Sequence, residues 1–128
     1  MNTFVIDSSA WIEYFAGTKQ GKKVVDIIED KKNEIITPVV VILELSSFYN
    51  RNDIDFEGLY DIILKNSKIY YMGEENAKET GKMYAKLKKN NKKISYSDCF
   101  ILFVAMILNA KIITKDLDFK GFKEAIFI

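Results

Sequence analysis

Histidine is absent from this chain, and cysteine, proline and tryptophan each occur once. Without an imidazole, no histidine acid/base pair can be built. The common triads that activate Ser or Cys through His are excluded with it. The lone Cys99 rules out an intramolecular disulfide and a cysteine zinc site, and it fits a reducing compartment. The longest apolar run, Cys99 to Leu108, falls short of the roughly 20 residues a membrane span needs. Asp7 interrupts the first apolar stretch and no basic leader precedes it, so the N-terminus does not read as a secretory signal. The expectation is a soluble, cytoplasmic protein with no membrane partner. Charge of one sign is also missing: the net charge is +1, so any polyanionic partner would need a local patch. Arginine occurs once, as Arg51, and the remaining basic charge is lysine.

What is present suffices for one domain over residues 1–128. A chain of this length buries roughly two-thirds of its unfolded surface, so no covalent staple is needed. A composition 48% hydrophobic and 29% charged argues against disorder. Phe4–Ile6 predicts a short buried strand, followed by a helix to about Phe15 that Gly17 closes. An amphipathic helix over Lys22–Lys31 and a strand over Glu34–Thr37 follow. Pro38 opens the next helix, where its missing N–H costs nothing, and that helix runs to about Arg51. Asp55–Lys65 reads as helix, Lys68–Met72 as strand and Glu74–Lys89 as a long helix through Gly81. Ser95 starts a helix apolar almost all round from Cys99 to Leu108, the mark of a central buried element. Lys111–Thr114 is a fourth strand and Ala125–Ile128 a possible fifth. This alternation predicts an α/β fold, a three-layer α/β/α sandwich on a parallel sheet of four to five strands.

Four acidic residues stand in apolar segments: Asp7, Glu44, Asp98 and Asp116. Each has an ordinary explanation. Asp7 sits where a helix N-cap belongs, although Ser8 and Ser9 can also cap. Glu44 lies on the apolar stripe of its helix with Val41 and Phe48, and can reach water or a lysine from its edge. Ser95 with Asp98 resembles a capping box. Asp116, with Asp118 close by, follows a strand as turn residues do. Together they are harder to dismiss. Asp7 and Asp116 follow parallel strands and share one rim of the sheet, the rim where such folds bind ligands. Clustered carboxylates raise one another's pKa and destabilise the fold unless a cation compensates. With no His and no suitable Cys, an oxygen-only set points to Mg²⁺ or Mn²⁺.

The segments Phe4-Val5-Ile6-Asp7-Ser8-Ser9-Ala10-Trp11-Ile12-Glu13, Glu44-Leu45, Ser97-Asp98-Cys99 through Ala105, and Ile112 through Phe119 occur in this order across nearly the whole chain. In this the chain resembles the PIN domain family, and within it the VapC-type toxins of type II toxin–antitoxin pairs. The resemblance implies metal-dependent hydrolysis of RNA phosphodiester bonds, with Asp7, Glu44, Asp98 and Asp116 as the core acids. Asp118 is a helper or substitute, Ser8 and Thr114 are hydroxyl residues near the metal, and Glu13 lies outside the core set. Asp7 and Asp98 are expected to be direct ligands and Asp116 direct or through water. Glu44 is expected to be a ligand or to orient the attacking water. A cognate antitoxin whose C-terminal segment packs over the toxin, and a homodimer, are implied in the same way. An RNA-processing or DNA-directed PIN nuclease, or a PIN module that only binds RNA or protein, are the alternatives.

Lys78 to Lys93 holds seven lysines against one glutamate. Lys86, Lys88, Lys89, Lys92 and Lys93, which precede the Asp98 helix, can hold RNA phosphates beside the acids, as can Lys115. They can equally form a solvated helix end. Phe15, Phe48, Phe100, Phe103 and Phe119 are expected in the core, and Trp11 and Tyr14 along a partner groove.

Overall fold

The computed structural model of the protein describes residues 2–90 and 92–128. In chain order the elements are β1 (Asn2–Ile6), α1 (Ser8–Ala16), α2 (Lys19–Glu29), β2 (Asn33–Pro38), α3 (Val39–Arg51) and α4 (Glu57–Asn66). They continue with β3 (Lys68–Tyr70), α5 (Glu74–Lys89), α6 (Tyr96–Ile107), β4 (Lys111–Thr114), a 3-10 turn over Leu117–Phe119 and β5 (Ala125–Phe127). The five strands form one sheet in the order β3-β2-β1-β4-β5. Every neighbouring pair is parallel. The expected α/β/α sandwich is therefore present, with the fifth strand included.

The strand order fixes where the site can be. The chain steps from β1 outward to β2 and β3, then returns to lay β4 on the other side of β1. Order reverses between β1 and β4, and the crevice beyond the carboxyl ends of such a strand pair is the preferred ligand position in parallel sheets. Register aligns Ile6 with Ile113. The residues that leave these two strands, Asp7 and Asp116, emerge side by side.

Packing follows from the apolar runs. Val5, Ile6, Ile112 and Ile113 are fully buried in the central strands, with Phe100 and Ile101 of α6 in the same core. Each such side chain contributes about 1.5–3 kcal/mol through burial. Helix α6 is central along most of its length, but Met106 and Ile107 at its end are about half exposed. Of the aromatics expected inside, Phe100 and Phe119 are buried, while Phe15, Phe48 and Phe103 are partly buried against the core.

Four local expectations are corrected. Helix α2 starts at Lys19, three residues early, because the Thr18 hydroxyl caps it by accepting from the Gly21 N–H at 3.0 Å. Gly21 is required there: a Cβ would lie 2.0 Å from the Glu13 carbonyl oxygen, so only glycine lets α2 pass so close to α1. Pro38 is the last residue of β2, at φ −61° and ψ 143°, and flanks α3 rather than forming its first turn. Strand β3 stops at Tyr70, since Tyr71 and Met72 are exposed and unpaired with β2. Trp11 lines no groove. It is fully buried, its Nε1–H donates to the Thr37 hydroxyl at 3.2 Å, and its ring stacks on Phe15. Among the described residues no helix is long and apolar enough to cross a membrane.

Candidate active site

Asp7 leaves β1 and occupies the cap position of α1, yet its side chain makes no capping hydrogen bond. It is 3% exposed, and its Oδ2 accepts from two hydroxyls, Ser9 at 2.9 Å and Thr114 at 2.8 Å. Thr114 in turn accepts the Asp116 N–H at 2.9 Å, and Ser9 accepts the Lys115 N–H at 2.9 Å. The two hydroxyls thus stitch the ends of β1 and β4 together and fix the Asp7 carboxylate between them. Burial raises the Asp7 pKa. The Thr114, Ser9 and Ser8 hydrogen bonds oppose that shift, and the Asp116 charge adds to it.

Asp98 stands in the first turn of α6 and is buried. The capping box is real: the Asp98 N–H donates to Ser95 Oγ at 3.0 Å, and the Ser95 N–H donates to Asp98 Oδ2 at 3.4 Å. Capping does not remove Asp98 from the site. Carboxylate oxygens of Asp98, Asp116 and Asp118 lie within 4.8 Å of one another. Burial foremost, with the charges of Asp116 and Asp7, pushes the Asp98 pKa up to about 6 against the opposing Ser95 hydrogen bonds. Asp116 and Asp118 come together through a local turn, in which Asp116 Oδ1 accepts the Asp118 N–H at 2.9 Å.

Glu44 reaches the same region from α3. Burial, then the charges of Asp7, Asp98 and Asp116, raise its pKa to about 7, while the Ser8 side chain pulls the other way. Its Oε1 is buried and has no hydrogen-bond partner among the described residues. An unpartnered buried carboxylate oxygen is costly unless something else satisfies it. The donor set is entirely oxygen, drawn from Asp7, Glu44, Asp98, Asp116 and Asp118, which suits a hard divalent cation. The residues present therefore fit such an ion.

The remaining expected residues divide. Ser8 faces Glu44, and Thr114 binds Asp7 directly. Ser9, expected only as a cap, instead lies inside α1 and donates to Asp7; two adjacent serines are equivalent in the sequence, and only the helix phase selects between them. Lys86, Lys88 and Lys89 are exposed in the last turn of α5, with Lys92 and Lys93 exposed in the link to α6. Lys115 is held elsewhere, its Nζ 3.2 Å from Glu13 Oε1, which also accepts the Thr18 hydroxyl at 3.0 Å. Arg51, to which the sequence assigns no role, lines an open groove with Ser8, Ile12, Glu44 and Phe48.

The family model for the PIN domain matches residues 4–125. No curated protein matches the sequence. Solved structures do match the fold. A toxin–antitoxin complex from Klebsiella pneumoniae superposes with a TM-score of 0.71 at 19% identity, covering 95% of this chain and 94% of that one. VapBC2 from Rickettsia felis, bound to a DNA fragment from its promoter, gives 0.73 at 17% identity, covering 98% and 97%. VapC20 from Mycobacterium tuberculosis, a sarcin–ricin loop cleaving toxin, gives 0.71 at 14% identity, covering 94% and 97%. At these identities the likeness establishes a shared fold.

Proposed function

The chain belongs to the PIN domain family, and we propose that it is a metal-dependent endoribonuclease acting as the toxin of a toxin–antitoxin pair. One observation carries this reading. Acidic side chains from the end of β1, α3, α6 and the turn after β4 converge at the β1/β4 rim, and one of their oxygens, Glu44 Oε1, is buried without a partner among the described residues. Asp98, Asp116 and Asp118 would hold Mg²⁺ or Mn²⁺ together with Asp7. A divalent ion bound there neutralises the scissile phosphate, lowers the pKa of water and stabilises the leaving oxygen.

The protein's own groups do the positioning. Ser9 and Thr114 keep Asp7 in one orientation, so the site needs little rearrangement to accept its ligand. Glu44 Oε1 is free to accept a hydrogen bond from the attacking water and to aim it at phosphorus. Bare carboxylates would repel an RNA backbone, so the lysines of the α5–α6 link supply the grip on flanking phosphates. Leu43, 70% exposed beside Glu44, and the groove through Ile12 and Phe48 offer apolar surface to an antitoxin segment. A homodimer and residence in the cytoplasm complete the proposal.

The test is cleavage of a mixed RNA pool with Mg²⁺, with Mn²⁺ and with excess EDTA, beside Asp98→Asn. Asparagine keeps a cap acceptor for Ser95 and loses the charge. Metal-dependent cleavage that disappears in the variant is the expected result. Undiminished cleavage by Asp98→Asn, or in EDTA, refutes the assignment.

A further inference from the structure

Two residues before Asp98, Tyr96 opens α6 with 68% of its surface in solvent. Its ring is not isolated. It stacks on Tyr84 of α5 with centroids 4.2 Å apart and planes 24° apart. Lys88, one turn further along α5, places Nζ 5.5 Å from the centre of the Tyr84 ring. Stacking covers one face of Tyr96, and its high exposure leaves the other face open. Lys88 thus sets positive charge beside this pair, at the lysine-rich end of α5. Neither tyrosine has a part in the acidic cluster.

We propose that Tyr96, braced by Tyr84, is a stacking platform for one unpaired base of a single-stranded RNA, and sets the position of the strand relative to Asp98. The inference rests on the ribonuclease reading and adds a positioning residue to it. Single-stranded recognition combines a basic track for phosphates with aromatic faces for bases, since every base presents a π-surface. Both halves occur here, two residues from an acid of the site. The bracing matters. An exposed ring free to rotate must be ordered when a base binds, whereas one already stacked on Tyr84 is held in a single plane beforehand. Lys88 beside the pair, on a helix end rich in lysine, favours a polyanion over an apolar protein segment as occupant.

Binding can be measured without turnover in an Asp116→Asn parent. Asparagine keeps the Oδ1 acceptor that the Asp118 N–H uses, so the turn after β4 stays formed. The probes are fluorescein-labelled single-stranded RNA decamers of uridine and of adenosine, followed by anisotropy across a salt series. Adding Tyr96→Ala should weaken binding about 5- to 100-fold, the range of base–aromatic stacking. Tyr96→Phe should bind within about twofold of the parent. Tyr96→Leu, which keeps apolar bulk against Tyr84, should lose as much as alanine does. The slope of affinity against salt should be unchanged in all three, because no phosphate contact is removed. A Tyr96→Ala protein that binds as well as the parent overturns the platform alone. So does a loss accompanied by a shallower salt slope, which would mean that the lysines had moved instead. Absence of binding by both the parent and the wild-type protein overturns the ribonuclease reading and the platform with it. RNA binding spared by Tyr96→Ala, with weakened capture of a co-expressed antitoxin, would reassign the surface to protein docking.

Discussion

The acidic cluster should make the metal-free protein less stable as pH rises. Glu44 titrates near 7 and Asp98 near 6 in the fold, each above its ordinary carboxylate value, chiefly through burial and then through neighbouring charge. Between the unfolded and folded pKa values, the native state holds protons that the unfolded chain has released. Stability therefore falls with rising pH across the window from about 4 to about 7. At about 1.4 kcal/mol per pKa unit, the Glu44 shift by itself corresponds to at most about 3.5 kcal/mol. Glu44 is only partly buried, so solvent screens it, and it titrates with Asp98 as a coupled set rather than additively. About half of that bound, roughly 1.5–2 kcal/mol, is the expected loss, equivalent to about 5–8 °C in Tm for a chain of this size.

The assay is thermal unfolding in EDTA at pH 5, 6, 7 and 8, repeated with Mg²⁺ or Mn²⁺. In EDTA the Tm should drop across the series. The cation should restore it most at pH 8, because ligands must be deprotonated to bind and affinity rises through the same window. At a concentration 100 times Kd, binding adds about 2.7 kcal/mol. Glu44→Gln should flatten the EDTA series and raise the Tm at pH 8. A Tm that is level or rises from pH 5 to pH 8 in EDTA would refute the idea that these carboxylates repel one another in the folded protein.

Two further substitutions probe the frame around the site. Thr114→Val keeps the shape but removes a donor to Asp7 and the acceptor of the Asp116 N–H. It should cost about 2–3 kcal/mol by chemical denaturation and reduce cation affinity in titration calorimetry. Gly21→Ala would gain about 1 kcal/mol from helix propensity alone, but its Cβ meets the Glu13 carbonyl at 2.0 Å. A net loss of about 2 kcal/mol is expected in urea unfolding, with a stabilised protein as the contrary result.

The layout of the sheet was legible because buried strands and amphipathic helices alternate in the sequence, and the acids that end β1 and β4 could be placed on one rim from that alone. The misplaced details share a cause: they depend on which neighbour a residue meets. Thr18-Lys19-Gln20-Gly21 is polar and contains glycine, so it reads as a loop; it caps and opens α2 because Thr18 accepts the Gly21 N–H and Gly21 lets α1 lie close. Tyr71 and Met72 are apolar in composition but have no strand beside them. In α1 the apolar residues Ala10, Trp11, Ile12, Tyr14 and Phe15 fall on more than one face, so no single stripe in the sequence marks which one turns inward to Thr37. The same limit governs the site. Asp7, Glu44, Asp98 and Asp116 stand out locally, each as a charge within an apolar segment. Ser9 does not, because its meaning arises only when α1 sets its hydroxyl against a strand end 105 residues away. Tyr84 and Tyr96 are two ordinary tyrosines until α5 and α6 stack them. Residues that carry charge into an apolar setting can be found by reading along the chain. Residues that hold, brace or aim those charges are defined by contact across elements, and the fold is needed to reveal them.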